Sequence, residues 1–484
     1  MDIAAMGAAA KKPKPESLSN SAAGAGAGKT VEEMQRQKTQ LEHIFLRPDT
    51  YLGYTYHHTS RFWVYEDGGM VQRDVTYVPA LYKIFDDILV SAADNKRRDP
   101  SMDSLRVHIH VEEGRISVYS NGCGLPIEIH QEEEGVYVPE AIFASLLTIS
   151  GHDYGVILAN MFSTEFVVET ADGEKKYKQV FSENMGRKSV PEIKKCKRSE
   201  NWTRVTFRPD LAKFNMTHLD YDIVALMRKR VIDMAAILGE TVMVELNGEK
   251  VATRSFLEYV KLYTNSGSKD GVERPSFYQK VNDRWEVCVI LSKGQFQQVS
   301  FVNGRATTRG GTHVDYVVNQ IANHVRDIVN REDVDKNAKM KLHIVRDILN
   351  RKDLDNKMKL HTLRDIVNSK DVDENAKMKL HTVRGYLCVF VNALIENPAF
   401  NSQTKEALTT HEGSFGSTCC LSDDLLNKVA KWVVVRSVLN VPSTALSIIM
   451  DDEVQVEIEE EAQPRKKGRR PSTRYPPEDW VGHS

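Results

Sequence analysis

The stretch LYKIFDDILVSAADNKRRD, residues 81–99, constrains the fold more than any other part of the chain. Leu81, Ile84, Phe85, Ile88, Leu89 and Ala92 recur at helical spacing, so one stripe of a helix must be buried. Asp87, Ser91, Asp94 and Asn95 fall on another face. Next comes LRVHIHVEEGRISVYSNGCGLP, where the period drops to 2: two strands alternate about Glu113-Gly114 and run into a glycine turn at Gly122 and Gly124. A carboxylate-bearing helix, a hairpin and a glycine turn predict a mixed α/β domain over about residues 31–251. Such a set could hold a nucleotide and Mg²⁺; a solvated helix face is the competing reading.

Further strands are expected at 164–169, 175–181 and 202–207, and a long helix at DIVALMRKRVIDMAAIL from Asp222. In the second half, residues 383–400 and 421–438 have the apolar spacing of core helices. At 484 residues there is room for two or three domains. Between them lie three similar units, VRDIVNREDVDKNAKMKLH from 325, VRDILNRKDLDNKMKLH from 345 and LRDIVNSKDVDENAKMKLH from 363. Short charged repeats inside one connection predict extended helices or a protruding loop at about 325–382; a small solenoid is the alternative.

Lys plus Arg number 65 against 67 Asp plus Glu, so no whole-chain positive field draws nucleic acid, and any DNA contact must be local. The six cysteines, at 123, 196, 288, 388, 419 and 420, form no CxxC pair, which predicts a reduced intracellular protein. No apolar run approaches the roughly 18 residues of a membrane span, and no signal-peptide pattern opens the chain, so no membrane partner is expected. Residues 1–30 are rich in Ala, Gly, Ser and Lys and read as a disordered leader. Gly28-Lys29-Thr30 matches the tail of a P-loop, but Ala23 stands at its first glycine and no strand precedes it. Residues 441–484 read as a disordered tail, acidic and then basic, whose RKKGRR at 465–470 is a nuclear import signal, a phosphate contact or a solvated charge run.

Several long motifs carry a specific likeness. TQLEHIFLRPDTYLG at 39–53, LYKIFDDILVSAADN, EIHQEEEGVYVPEAIFASLLT, NMFSTEFVVETADG, SFVNGRATTRGGTHVDYVVNQIANHV and VFVNALIENPAFNSQTKEALTT together resemble the N-terminal gate of eukaryotic type IIA DNA topoisomerase over roughly residues 31–440. The resemblance implies an α+β chain: a GHKL (Bergerat-type) ATPase domain of mixed sheet and helices at 31–265, then an α/β transducer domain of the ribosomal S5 domain 2-like kind at 266–440. It also implies ATP and Mg²⁺ as cofactors, DNA as a partner, and a homodimer or a heterodimer with full-length topoisomerase II. The implied location is the nucleus, with the cytoplasm as the alternative. The family's repeat unit occurs once where this chain has three.

Carried over residue by residue, the resemblance makes Asp87 the general base, Ser91 the Mg²⁺ position and Asn95 a further nucleotide contact. It also places Ser120 at the adenine-reading position and Asn121 near the base edge, with Gly122 and Gly124 in the turn that follows. Ser150 falls near the ribose or phosphates, Tyr154 and Gly155 belong to the phosphate lid, and Gln403, Thr404 and Lys405 form the loop that reaches the γ-phosphate. Here the chain departs from the family. The family helix reads Glu-Ile-Leu-Val-Asn, so Asp87 stands for Glu, one methylene short of the attacking water, and Ser91 for Asn. A misplacement of about 1 Å can cost on the order of a hundredfold in rate, and a hard cation prefers a carbonyl or carboxylate oxygen to a hydroxyl. Most of the glycine-rich lid, whose N–H groups cradle phosphates, is missing between Asp153 and Leu158. The expectation is weak or lost ATP hydrolysis. Nothing in the 484 residues resembles the family's metal-binding cleavage domain or its active-site tyrosine domain, so no DNA cleavage by this chain alone is expected. Competing readings are a non-catalytic partner acting on full-length topoisomerase II and an unstable gene remnant.

Overall fold

The computed structural model describes residues 40–131, 133, 135–145, 155–265, 276–292, 294–331 and 380–438. The leader, the tail and nearly all of the repeat insertion lie outside the described residues. Helix α1 (Pro48–Leu52) leads to a two-stranded antiparallel ribbon of β1 (His58–Glu66) and β2 (Gly69–Tyr77). The amphipathic segment then folds as α2 (Pro79–Ala93), with proline in its first turn where a missing N–H costs nothing, followed by the short α3 (Asn95–Arg98).

The main sheet is built from β3 (Ser104–His110), β4 (Arg115–Asn121), β5 (Ser163–Asp172), β6 (Lys175–Ser182), β7 (Arg187–Lys188), β8 (Glu192–Lys195), β9 (Asn201–Pro209), β10 (Met243–Leu246) and β11 (Glu249–Lys250). Its order is β11-β10-β3-β4-β9-β5-β6-β7, with β8 also paired to β6. The expected hairpin is β3–β4, in register from Leu105 opposite Ser120 to His110 opposite Arg115. Its alternation is strict: Leu105, Val107, Ile109, Ile116 and Val118 are buried, and the residues between them face the other way. Onto the buried face pack α2, α4 (Val138–Ala144), α5 (Gly155–Met161) and α6 (Tyr221–Leu238). Asp220 caps α6 by accepting from the Ile223 N–H at 2.9 Å, a bond typically worth about 1 kcal/mol.

A second sheet follows α7 (Phe256–Asn265) and contains β12 (Ser276–Asn282), β13 (Trp285–Leu291), β14 (Gln297–Val302), β15 (Arg305–Ala306) and β16 (Leu387–Ala393), in the order β12-β13-β16-β14-β15. Helices α8 (Thr312–Arg331), α9 (Leu380–Gly385) and α10 (Asp423–Val438) complete this part. The expected helix at 421–438 is α10. The one expected at 383–400 is not a helix: after α9 the chain becomes β16, a central strand. The run LCVFVNA is buried on both faces, and continuous burial erases the alternation by which a strand is recognised.

One face of this sheet packs Trp285, Val287, Val289, Val389 and Val391 against α8 and α10. On the other face, Cys288, Ile290, Phe301, Cys388 and Phe390 meet Tyr259 and Tyr263 of α7, Ile232 of α6 and Met70 of β2. That shared apolar cluster joins the second sheet to α6, α7 and the β1–β2 ribbon. Among the described residues no helix is long and apolar enough to cross a membrane.

Two positions make the fold testable. Gly124 has φ +69°, and a Cβ there would sit 2.0 Å from the Ala171 carbonyl oxygen. Gly124→Ala is therefore expected to cost more than about 2 kcal/mol in a denaturant melt; a change under about 0.5 kcal/mol would contradict the packing. His313 is fully buried at the start of α8, its Nε2 3.1 Å from Thr307 Oγ1 and its Nδ1 unpartnered. Burial pushes it down to about 3. Below about pH 6.5 the unfolded chain therefore takes up a proton that the folded one refuses, and stability should fall by up to about 1.4 kcal/mol per pH unit from this group until about pH 3. His313→Gln should flatten that acid limb by one proton; an unchanged slope would show that His313 titrates normally.

Candidate functional site

Asp87 lies one turn beyond Lys83 on α2, so the two side chains meet. The Lys83 ammonium binds Asp87 Oδ2, while Nη1 of Arg305, brought in by β15 of the second sheet, binds Oδ1. The carboxylate side chain is only 1 % exposed. Burial alone would raise its pKa, but the two cations more than offset this and hold it well below the usual carboxylate range. Neighbouring Asp86 accepts from Nε of the fully buried Arg230 at 2.6 Å, and Arg230 also donates to the Gly304 carbonyl. Asp233, one turn along α6, accepts from Lys229 at 2.9 Å and from the Tyr259 hydroxyl at 2.6 Å. The result is one ion network that links α2, α6 and α7 to the second sheet.

A general base must have an oxygen able to take a proton within hydrogen-bond reach of water. Both oxygens of Asp87 are committed to cations. On the side of α5, a Cβ added to Gly155 would lie 2.5 Å from Asp87 Cγ, so the Gly155 backbone is pressed onto the same carboxyl.

The remaining expected residues divide between separate places. Ser91, Asn95 and Ser120 line a cavity of about 60 Å³ with Ile88, Val118 and Phe143, against the roughly 300–1,000 Å³ of ordinary small-molecule sites. Asn95 donates from Nδ2 to the Asn121 carbonyl at 2.8 Å. Asn121 does not present its side chain to that cavity's lining. Its Oδ1 accepts from the N–H groups of Asp103 and Ser104 at 3.0 and 2.8 Å, and its Nδ2 donates to Asp103 at 2.7 Å, pinning the start of β3. Gly122 and Gly124 form the expected turn, closed by the backbone of Ala171 and the side chain of Asn95. Ser150 and Tyr154 lie outside the described residues.

Gln403, Thr404 and Lys405 sit on a loop that lines two clefts of about 1,490 and 500 Å³ between the second sheet and the β1–β2 ribbon with α2. The smaller cleft also contains Lys83, Asp86, Asp87 and Arg305, so Lys405 and Asp87 do converge on one cleft. The loop is held by a bond from the Lys405 N–H to Ser402 O at 3.1 Å and by the Arg309–Glu406 ion pair at 2.9 Å. Among the described residues no three His, Cys, Asp or Glu side chains converge as metal ligands. Among the described residues the serine-lined cavity is small, and the carboxylate one turn before it on α2 is ion-paired through both oxygens. Sequence reasoning missed Lys83, Arg230 and Arg305. Only Lys83 left a local signal, its spacing of four from Asp87.

The DNA gyrase B family model matches residues 255–351 and 357–444. DNA topoisomerase 2 of Arabidopsis thaliana is 54 % identical over 428 residues, and DNA topoisomerase 2-alpha of Homo sapiens 43 % over 427. Each alignment covers 85 % of this chain, which spans about a quarter of those relatives' length, 26 % and 25 %. Among solved structures, the ATPase region of Saccharomyces cerevisiae topoisomerase II bound to ICRF-187 is 39 % identical with a TM-score of 0.67, over 83 % of this chain and 96 % of that one. The ATPase and transducer domains of Balamuthia mandrillaris DNA topoisomerase II are 38 % identical with a TM-score of 0.66, over 89 % of this chain and all of that one. A match at this identity along almost the whole of a solved ATPase region makes this protein a member of the eukaryotic type IIA DNA topoisomerases over their ATPase and transducer region.

Proposed function

We propose that the chain is a topoisomerase II gate segment that keeps the gate's architecture and has lost its ATP-driven chemistry. The observation that carries the reading is the state of Asp87: buried, ionised, and held through both oxygens by Lys83 and Arg305. A carboxylate so paired is a weak proton acceptor, and swinging it free would take their shared partner from Lys83 and Arg305. The cavity of about 60 Å³ at Ser91 and Ser120 supports the same reading, since it offers a nucleotide neither volume nor a carboxylate. Asp87, in the position of the base, and Lys405, in the position of the phosphate contact, act in this reading as structural charges of the cleft. The partners the family implies, DNA and a second gate in a homodimer or with full-length topoisomerase II, would engage the scaffold without a nucleotide cycle, in the nucleus.

Titration calorimetry with a non-hydrolysable ATP analogue and Mg²⁺, paired with a steady-state phosphate-release assay, tests this. The expected result is no saturable heat at ligand concentrations of about 10 μM, a range in which a dissociation constant of about 1 μM (about −8 kcal/mol) would register, and no turnover above background. Turnover that disappears in both Asp87→Ala and Lys405→Ala would overturn the proposal.

The same analysis gives a stability result that distinguishes an ion-pair role from a catalytic one. Asp87→Ala removes the shared partner of two buried cations and should cost about 3–5 kcal/mol, whereas replacing a base that serves only catalysis would leave the melt near its original position. Because the folded pKa of Asp87 is depressed, its contribution is fully present above the unfolded carboxylate value of about 3.9 and is lost as pH falls below that. The deficit of Asp87→Ala should therefore be constant from neutral pH to about pH 5 and shrink on further acidification.

A further inference from the structure

The outer face of the main sheet is built differently from its buried face. Across β3, β4 and β9, the outward residues Arg106, His108, His110, Tyr119, Trp202 and Arg204 are exposed or half-buried. They surround a depression of about 390 Å³ whose lining holds three arginines, Arg106, Arg115 and Arg204, and one carboxylate, Glu169. Burial, with His110 and Arg204 nearby, keeps His108 below the usual imidazole range, so the arginines supply the charge at neutral pH.

Cations and rings are interleaved here. The Arg106 guanidinium lies 5.1 Å from the Tyr119 ring centre, and that of Arg204 lies 5.4 Å from both Tyr119 and Trp202. The two rings are 5.9 Å apart, and Lys176 lies 6.0 Å from the Trp202 ring centre. Carboxylates do reach the arginines: Glu245 lies 3.3 Å from Arg106, Glu113 2.9 Å from Arg115 and Glu169 3.9 Å from Arg204. Glu245 and Glu113 stand outside the lining, and the Glu169 contact is long, which leaves the floor of the depression positive in a chain whose net charge is −2.

We propose that this face binds single-stranded nucleic acid, with phosphates in the arginine-lined depression and bases against Tyr119 and Trp202. Aromatic rings alternating with cations on an open sheet suit unstacked bases, which offer a π-face to a ring or a guanidinium while the backbone follows the positive track. A duplex offers neither: its bases are already stacked, and a cylinder lying on a sheet brings few phosphates to the three arginines. The site is separate from the nucleotide cleft and does not depend on whether ATP is bound.

The test is fluorescence anisotropy of the full chain with a short labelled oligothymidylate and with a duplex of equal length, over a range of salt. Binding of the single strand is expected, with a log–log salt slope of about −2, from three phosphate contacts at about −0.7 each. Arg106→Gln with Arg204→Gln should weaken it at least about tenfold, with the thermal melt followed in parallel. Glu169→Gln, which removes the one carboxylate of the lining, should tighten it several-fold, a gain that misfolding cannot produce. No binding, equal or tighter binding of the duplex, or binding indifferent to these three substitutions and lost only when the basic run at 465–470 is neutralised would each overturn the proposal.

Discussion

Two consecutive acids on one helix tie α2 and α6 to the second sheet. Asp86 reaches Arg230 on α6, which passes the link on to the Gly304 carbonyl of the second sheet, and Asp87 takes Lys83 from its own helix and Arg305 from β15. Every one of these charges is removed from water to a degree that would be costly if it stood alone. Their mutual pairing allows the surrounding apolar cluster of Tyr259, Tyr263, Phe301 and Phe390 to close over the joint. The ion network sets which residues face one another across the clefts, and the apolar cluster supplies the burial that keeps them there.

On the proposed reading, the same arrangement lets a gate retain its shape without its chemistry. A base must be exposed to its substrate water and must change protonation state easily, while a structural carboxylate must do neither. Asp87 is arranged for the second task. The shorter Asp side chain sits between two cations and against the Gly155 backbone. The serines at 91 and 120 border a cavity of about 60 Å³, and Asn121 is occupied with the β3 terminus. Substitutions that each weaken a nucleotide site thus coexist with a well-packed core, because the fold is carried by other residues.

Much of this was legible in the sequence. The stripe of Leu81, Ile84, Phe85 and Ile88, the alternation through 105–120 and the long helix expected from Asp222 are local signals, and each became the element it announced. The strand at Leu387–Ala393 was misread as a helix because a strand buried on both faces loses its period. The positions of Asp87 and Lys405 followed from the family motifs. What holds Asp87 did not, since Arg305 is 218 residues away in sequence and no local pattern marks it as a partner. The outer face of the sheet was visible only as the polar half of an alternation; the interleaving of Arg106, Tyr119, Arg204 and Trp202 needs three strands side by side.

The central claim is that the Asp87 carboxylate is a fixed member of an ion network. Its ionisation can be read directly by carbon-detected NMR of the chain labelled at aspartate carboxyl carbons, with Asp87→Asn used to assign the signal. The account requires the Asp87 carboxyl to stay ionised from neutral pH down to about pH 3 and to keep its chemical shift when an ATP analogue and Mg²⁺ are added. A carboxyl that titrates between about pH 4 and 7, or that shifts on adding nucleotide, would show a group free to accept a proton and would contradict it.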